Sequence, residues 1–103
     1  MADIKHFHDS LSETAVPPHL DLALQGLWWA GKHEWDRGHA CVQQHEGDPR
    51  CDWVHAHLHR VEGDMANAGY WYRRAGKKIP TGPIEGEWME IAAALLSGAP
   101  SAA

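Results

Sequence analysis

From residue 18 onward the apolar positions recur at helical spacing. Leu20, Ala23, Leu24, Leu27, Trp28 and Gly31 fall on one face, which predicts a first helix over 18–31. A second is predicted from 33 or 34 to 46, with Trp35, Gly38, His39 and Val42 aligned and His45 near its end. The stretch "EGDP" at 46–49 then reads as a stop and a restart. Gly47 suits a helix end, Asp48 an N-cap and Pro49 the first helical position. That predicts a third helix over 49–62. Gly63 ends it, and Asp64 caps a fourth over 65–75, with Met65, Ala68, Trp71, Tyr72 and Ala75 on one side. "KKIPTGP" at 77–83 is a loop, and Pro83 opens a fifth helix that aligns Ile84, Trp88, Ile91 and Leu95 and closes at Gly98 and Pro100. The alternation in "VHAHLHRV" has no hairpin partner, so no strand is expected and the fold class is all-α. Residues 1–16 are polar with little periodicity. They are expected to form a flexible N-terminal arm ahead of a single helical domain over 17–97, and 98–103 a frayed tail.

The first four helices fall into two pairs displaced by about 30 residues. Glu34-Trp35 falls on Asp64-Met65, Gly38 on Ala68, Val42 on Tyr72, and Gly26 on Ala56. Small residues at matched positions let paired helices approach closely. Trp53, Ala56, "EGD" at 62–64, Ala68, "YWY" at 70–72, Ala75 and Pro80 carry a resemblance to tetratricopeptide repeats and their Sel-like relatives. It spans roughly 19–80, with a departure at His45, which stands where the second pair has Ala75. The stretch 27–96 also looks like a group of short bacterial proteins without an established activity. The resemblance implies two antiparallel helical hairpins of tetratricopeptide-like type, with the fifth helix capping the second by laying Trp88, Ile91 and Leu95 on it. It further implies a scaffold that binds a protein or peptide partner on a curved surface. Trp28, Trp35, Trp71 and Trp88 lie on the apolar faces and are expected in the core. Trp29, Trp53 and Tyr70 fall off those faces and are the candidate partner contacts.

Charge narrows the partners. Nine basic residues stand against 14 acidic ones, a net charge of −5, and the basic residues are scattered apart from "YRRAGKK" at 72–78. That excludes a dedicated nucleic-acid or anionic-membrane binder. Homo-oligomerisation stays open. Cys41 and Cys51 form neither a CxxC pair nor a disulfide framework. No apolar run is long enough to span a bilayer, and residues 1–13 lack the apolar core of a signal peptide. The expectation is a reduced, cytoplasmic protein.

Nine histidines change the picture more. His55, His57 and His59 sit within "DWVHAHLHRVEGD". On a helix His55 and His59 point to one side with Asp52, whereas His57 is rotated by about 200° and points elsewhere. The repeat-like reading turns Asp52, His55, Ala56 and His59 toward the partner helix. A plain apolar count centres the core on Cys51, Val54, Leu58 and Val61, with His55 at its margin and His59 further out. A metal reading joins His55 and His59 to His39, or to Asp36, as ligands of Zn²⁺ or Ni²⁺. This gives the alternative function, a metal-binding protein or metal-dependent enzyme. The bland alternative is hydrogen bonding between helices. The zincin pattern is absent, since Ala56 stands where its general base would be.

His39, Cys51 and His55 are the catalytic candidates. Cys51, in the first turn of its helix beside Arg50, is a candidate for a lowered thiol pKa or else a small buried apolar residue. Asp36 and His39 have the spacing of an acid–base pair and equally of an ordinary helix hydrogen bond. No phosphate loop, nucleophile elbow or dinucleotide fingerprint is present.

Overall fold

The structure is a computed structural model that describes residues 4–97. Among them every regular element is helical. They are α1 (Ile4–Asp9), continued by a 3₁₀ turn at Ser10–Ser12, α2 (Leu22–Gly31), α3 (Trp35–Gln43), α4 (Pro49–Val61), α5 (Met65–Ala75) and α6 (Ile84–Leu96). The all-α class read from the sequence is what the chain adopts. Among the described residues no helix is long and apolar enough to cross a membrane. The tail expected over 98–103, and the closure at Gly98 and Pro100, lie outside the described residues.

Local chemistry sets the helix limits. Asp48 accepts from the Arg50 amide at 3.2 Å and Pro49 opens α4. Asp64 accepts from Asn67 N at 3.2 Å, and Gly63, at φ +86°, makes the turn before it. α2 starts four residues later than the periodicity predicts. Asp21 takes the cap, accepting from Leu24 N at 2.9 Å, and His19 at φ +69° keeps the preceding chain out of the helix. α3 starts late because His33 at φ +62° shapes the turn after α2, and it ends at Gln43, three residues early.

α4 is the central element. It packs against α2, α3, α5 and α6, and every residue from Cys51 to His59 is buried. Neither reading of this helix as one-faced holds. The side with Asp52, His55 and His59 is buried, and so is the side with Val54, His57 and Leu58, while Val61 is 42% exposed. α2 packs on α3 and α4 on α5, each pair joined by a three-residue turn. α6 does not simply cap the second pair. It lies across α2 and α4 and meets α1, burying Trp88, Ile91 and Leu95, and the Trp88 indole donates to Leu27 O at 2.8 Å.

The N-terminal segment also departs from expectation. Residues 4–12 are not a free arm. Phe7 is buried and stacks on Trp88 at 5.5 Å, Trp28 Nε1 donates to Ser10 Oγ at 3.0 Å, and Lys32 Nζ donates to Leu11 O and Glu13 O at 2.7 and 2.6 Å. A single apolar ring in a polar context gives no periodic signal, yet Phe7, with the hydrogen bonds to Ser10, Leu11 and Glu13, anchors the segment.

The small residues at the α2–α3 crossing are needed for contact. A Cβ on Gly38 would lie 2.8 Å from Gly26 O, and one on Gly26 would lie 2.7 Å from Val42 Cγ1. Gly38→Ala is therefore expected to destabilise the protein by about 1–3 kcal/mol, because the clash is with backbone and outweighs alanine's better helix propensity. Gly69→Ala in α5 is the control. Its Cβ meets nothing closer than 3.5 Å, so it should be neutral or slightly stabilising. Urea denaturation of both variants checks this, and equal midpoints would contradict the crossing argument.

Candidate metal centre

His55 and His59, one turn apart on α4, face α3, which contributes His39. The ring centroids are 4.7 Å apart for His39 and His55, 5.5 Å for His39 and His59, and 4.9 Å for His55 and His59. One ring nitrogen from each lies within 4.8 Å of the other two. A tetrahedral shell with metal–nitrogen bonds of about 2.0–2.1 Å places its ligands about 3.3 Å apart.

Two tryptophans hold the rings. Trp35, one turn before His39 on α3, stacks on it at 4.7 Å and 11°, and its indole donates to Leu58 O at 2.6 Å. Trp71 of α5 stacks on His55 at 3.8 Å and 14°, with the Arg74 guanidinium 5.2 Å from the centre of the Trp71 ring. Trp71 is buried, as the sequence pattern predicts, and Trp35 is partly buried against the core.

The hydrogen bonds leave ligand atoms available. His59 Nδ1 is 2.7 Å from Glu62 Oε2, which commits that nitrogen and leaves Nε2 for a metal. A carboxylate behind a ligating imidazole fixes its tautomer and raises its basicity. His55 Nδ1 is, among the described residues, the buried side-chain polar atom without a hydrogen-bond partner. Burial, reinforced by the neighbouring His39 and His59, pushes the His55 pKa down to about 3. Burial and then His59 lower that of His39 as well. Both rings are neutral at neutral pH, with a lone pair free.

The other sequence candidates are placed differently. Asp36 is exposed and makes no hydrogen bond to His39, so this pair is not assembled for acid–base work. Cys51 is 1% exposed, and burial followed by the Asp48 carboxylate pushes its thiol up to about 12. The lowered value expected from the helix start does not arise, because Arg50 turns to Asp21, with Nη2 to Oδ2 at 2.7 Å. Trp53, expected at the surface, is 6% exposed, with Lys77 Nζ 4.2 Å from its ring centre. The loop after α5 covers it, which helix periodicity cannot foresee. Trp29 is half-buried under Arg37, and Tyr70 is 44% exposed.

A second buried polar group escaped the sequence reading. His57 Nδ1 lies 2.8 Å from Glu87 Oε1, Arg60 Nη1 donates to the same oxygen at 3.1 Å, and the Tyr72 hydroxyl donates to Glu87 Oε2. The rotation of His57 away from its neighbours is legible, but its partner lies 30 residues on, in α6.

Compared with family models, curated proteins and solved structures, the chain matches none.

Proposed function

We propose that the protein binds a divalent transition metal, Zn²⁺ or Ni²⁺, through His39, His55 and His59. The observation that carries this reading is the convergence of three imidazoles from two helices, one of which, His55, also has a buried nitrogen without a partner. A buried polar atom without a partner costs about 1–3 kcal/mol, and a metal bond offsets that cost. Imidazole suits both metals, Glu62 supplies the carboxylate behind His59, and Trp35 and Trp71 limit water around the rings. Three protein ligands leave one position open, and His39, half-buried, marks the side nearest solvent.

The test is a calorimetric titration of untagged protein with Zn²⁺ and with Ni²⁺, together with elemental analysis after dialysis. One equivalent is expected to bind. His39→Ala should abolish stoichiometric binding while leaving the fold intact, and Glu62→Gln should weaken it about 10–100-fold. Absence of binding and of any rise in melting temperature with either ion would overturn the reading.

The other reading, a repeat-like scaffold for a protein or peptide partner, draws support from the two packed helix pairs and from Tyr70. That ring is exposed beside Arg74, whose Nη1 donates to the Tyr70 hydroxyl at 3.0 Å. With Trp53 in the core, the support from exposed aromatics narrows to Tyr70 and part of Trp29.

A further inference from the structure

The opposite side of α4 faces a different kind of site. A cavity of about 260 Å³ lies between α1, α2, α4 and α6. Leu11, Val61, Ile84, Trp88 and Met89 give it a largely apolar lining. His8 and His33, both exposed, stand at its mouth with Glu85. The inner polar group is His57, which is 1% exposed. Its Nδ1 is engaged by Glu87, so the ring atom left for a ligand is Nε2.

Charge restricts what can occupy this space. The Glu87 carboxylate is matched by Arg60, with which it shares a 3.1 Å contact, so the wall behind His57 carries no net charge. An anion would meet Glu85 and lose its hydration against the apolar lining, and a cation would lose its own against the same lining and an inner wall without net charge. A neutral molecule meets neither obstacle. The volume lies just below the usual range for small-molecule sites, which favours a compact ligand of roughly one ring.

We propose that this cavity binds a small, neutral, largely apolar molecule bearing a hydroxyl group, the hydroxyl hydrogen-bonding to His57 Nε2 and the apolar body lying against Trp88. Glu87 acts through His57 as a positioning residue, holding the ring by Nδ1 so that Nε2 is left for the ligand. Arg60 and Tyr72 hold Glu87. This site and the three-histidine centre share α4 but no side chain.

The test uses p-cresol and toluene as probes, which differ by the hydroxyl. Titration is followed by NMR of the His57 imidazole nitrogens and the Trp88 indole N–H. p-Cresol is expected to bind about fivefold more tightly than toluene, the worth of one net neutral hydrogen bond. It should move the His57 Nε2 resonance, and toluene should not. His57→Phe should remove the preference. Because that variant also deprives Glu87 of a partner, Met89→Trp gives an independent check. Met89 is 38% exposed and outside the hydrogen-bond network, and the larger ring should fill the cavity and block both probes. Equal affinities for the two probes, binding unaffected by Met89→Trp, or no shift at His57 with millimolar p-cresol would each overturn the proposal.

Discussion

Glu87→Leu is expected to remove about 3–5 kcal/mol of folding stability, the largest loss from any single substitution considered for this chain. Glu87 is 4% exposed. Burial alone would raise its pKa, but hydrogen bonds from His57, Tyr72 and Arg60 outweigh burial and hold it below the usual carboxylate range. The group is therefore ionised and fully satisfied in the folded protein. Leucine matches the size but strands three donors. Tyr72, wholly buried, loses its partner, Arg60 keeps only Gly82 O, and His57 loses its orienting contact. Breaking one side of a buried charged pair costs more than replacing the whole set with apolar groups, because the remaining charge stays buried. A domain of this size has roughly 5–15 kcal/mol in total, so the variant should unfold at a far lower denaturant concentration. Tyr72→Phe removes one donor and leaves the acceptor two others, and should cost less, about 1.5–3 kcal/mol. Urea midpoints for the two variants check both values. A Glu87→Leu change within about 1 kcal/mol of the parent would mean that the carboxylate is not ionised in the folded state.

Acid is expected to destabilise the metal-free protein before its carboxylates titrate. His55 has its pKa held at about 3 against an ordinary 6.5, so between those values the unfolded chain binds a proton that the folded one refuses. Stability is then fully present above about pH 6.5 and falls as pH drops toward 3. The loss approaches about 1.4 kcal/mol per pH unit from His55 alone. His39, lowered in the same direction, steepens the same window. Glu87 adds a further loss of the same sign below its ordinary value of 4.5, because its folded pKa is depressed. Denaturation free energies measured from pH 7 to pH 4.5 isolate the histidine part. In His55→Phe, which keeps a ring against Trp71, the slope over that range should fall to what His39 leaves. An unchanged slope would mean that His55 is protonated in the folded protein.

The local signals in the sequence carried far. The Asp48-Pro49 start of α4, the Gly63-Asp64 turn and the full extent of α5 follow from caps and turn residues that act within four positions. The pairing of His55 with His59, and His39 as their partner on α3, follow from helical spacing and the order of the helices. What remained hidden depends on contacts between distant segments. α4 shows no clean stripe because it is enclosed by four helices, and a helix buried all round has no polar face to reveal its register. Trp53 is covered by a loop. Phe7 reaches Trp88 across 81 positions, and the Glu87 carboxylate, in a helix whose apolar side is read from Trp88 and Ile91, turns inward to a histidine. The Cys51 expectation failed for a similar reason. A helix start favours a thiolate only if the cations near it face the sulfur, and Arg50 faces Asp21.

The enclosure of α4 also limits how its length can vary. His55 and His59 serve one neighbour, while His57, between them in sequence, serves another. One residue inserted between Cys51 and His55 would turn everything after it by about 100° relative to the preceding helix. The imidazoles would leave α3, and His57 would leave Glu87. Substitutions here can be conservative, but insertions and deletions cannot. Length variation should therefore collect in 77–82, the largely exposed loop between α5 and α6, where added residues disturb the register of neither histidine group.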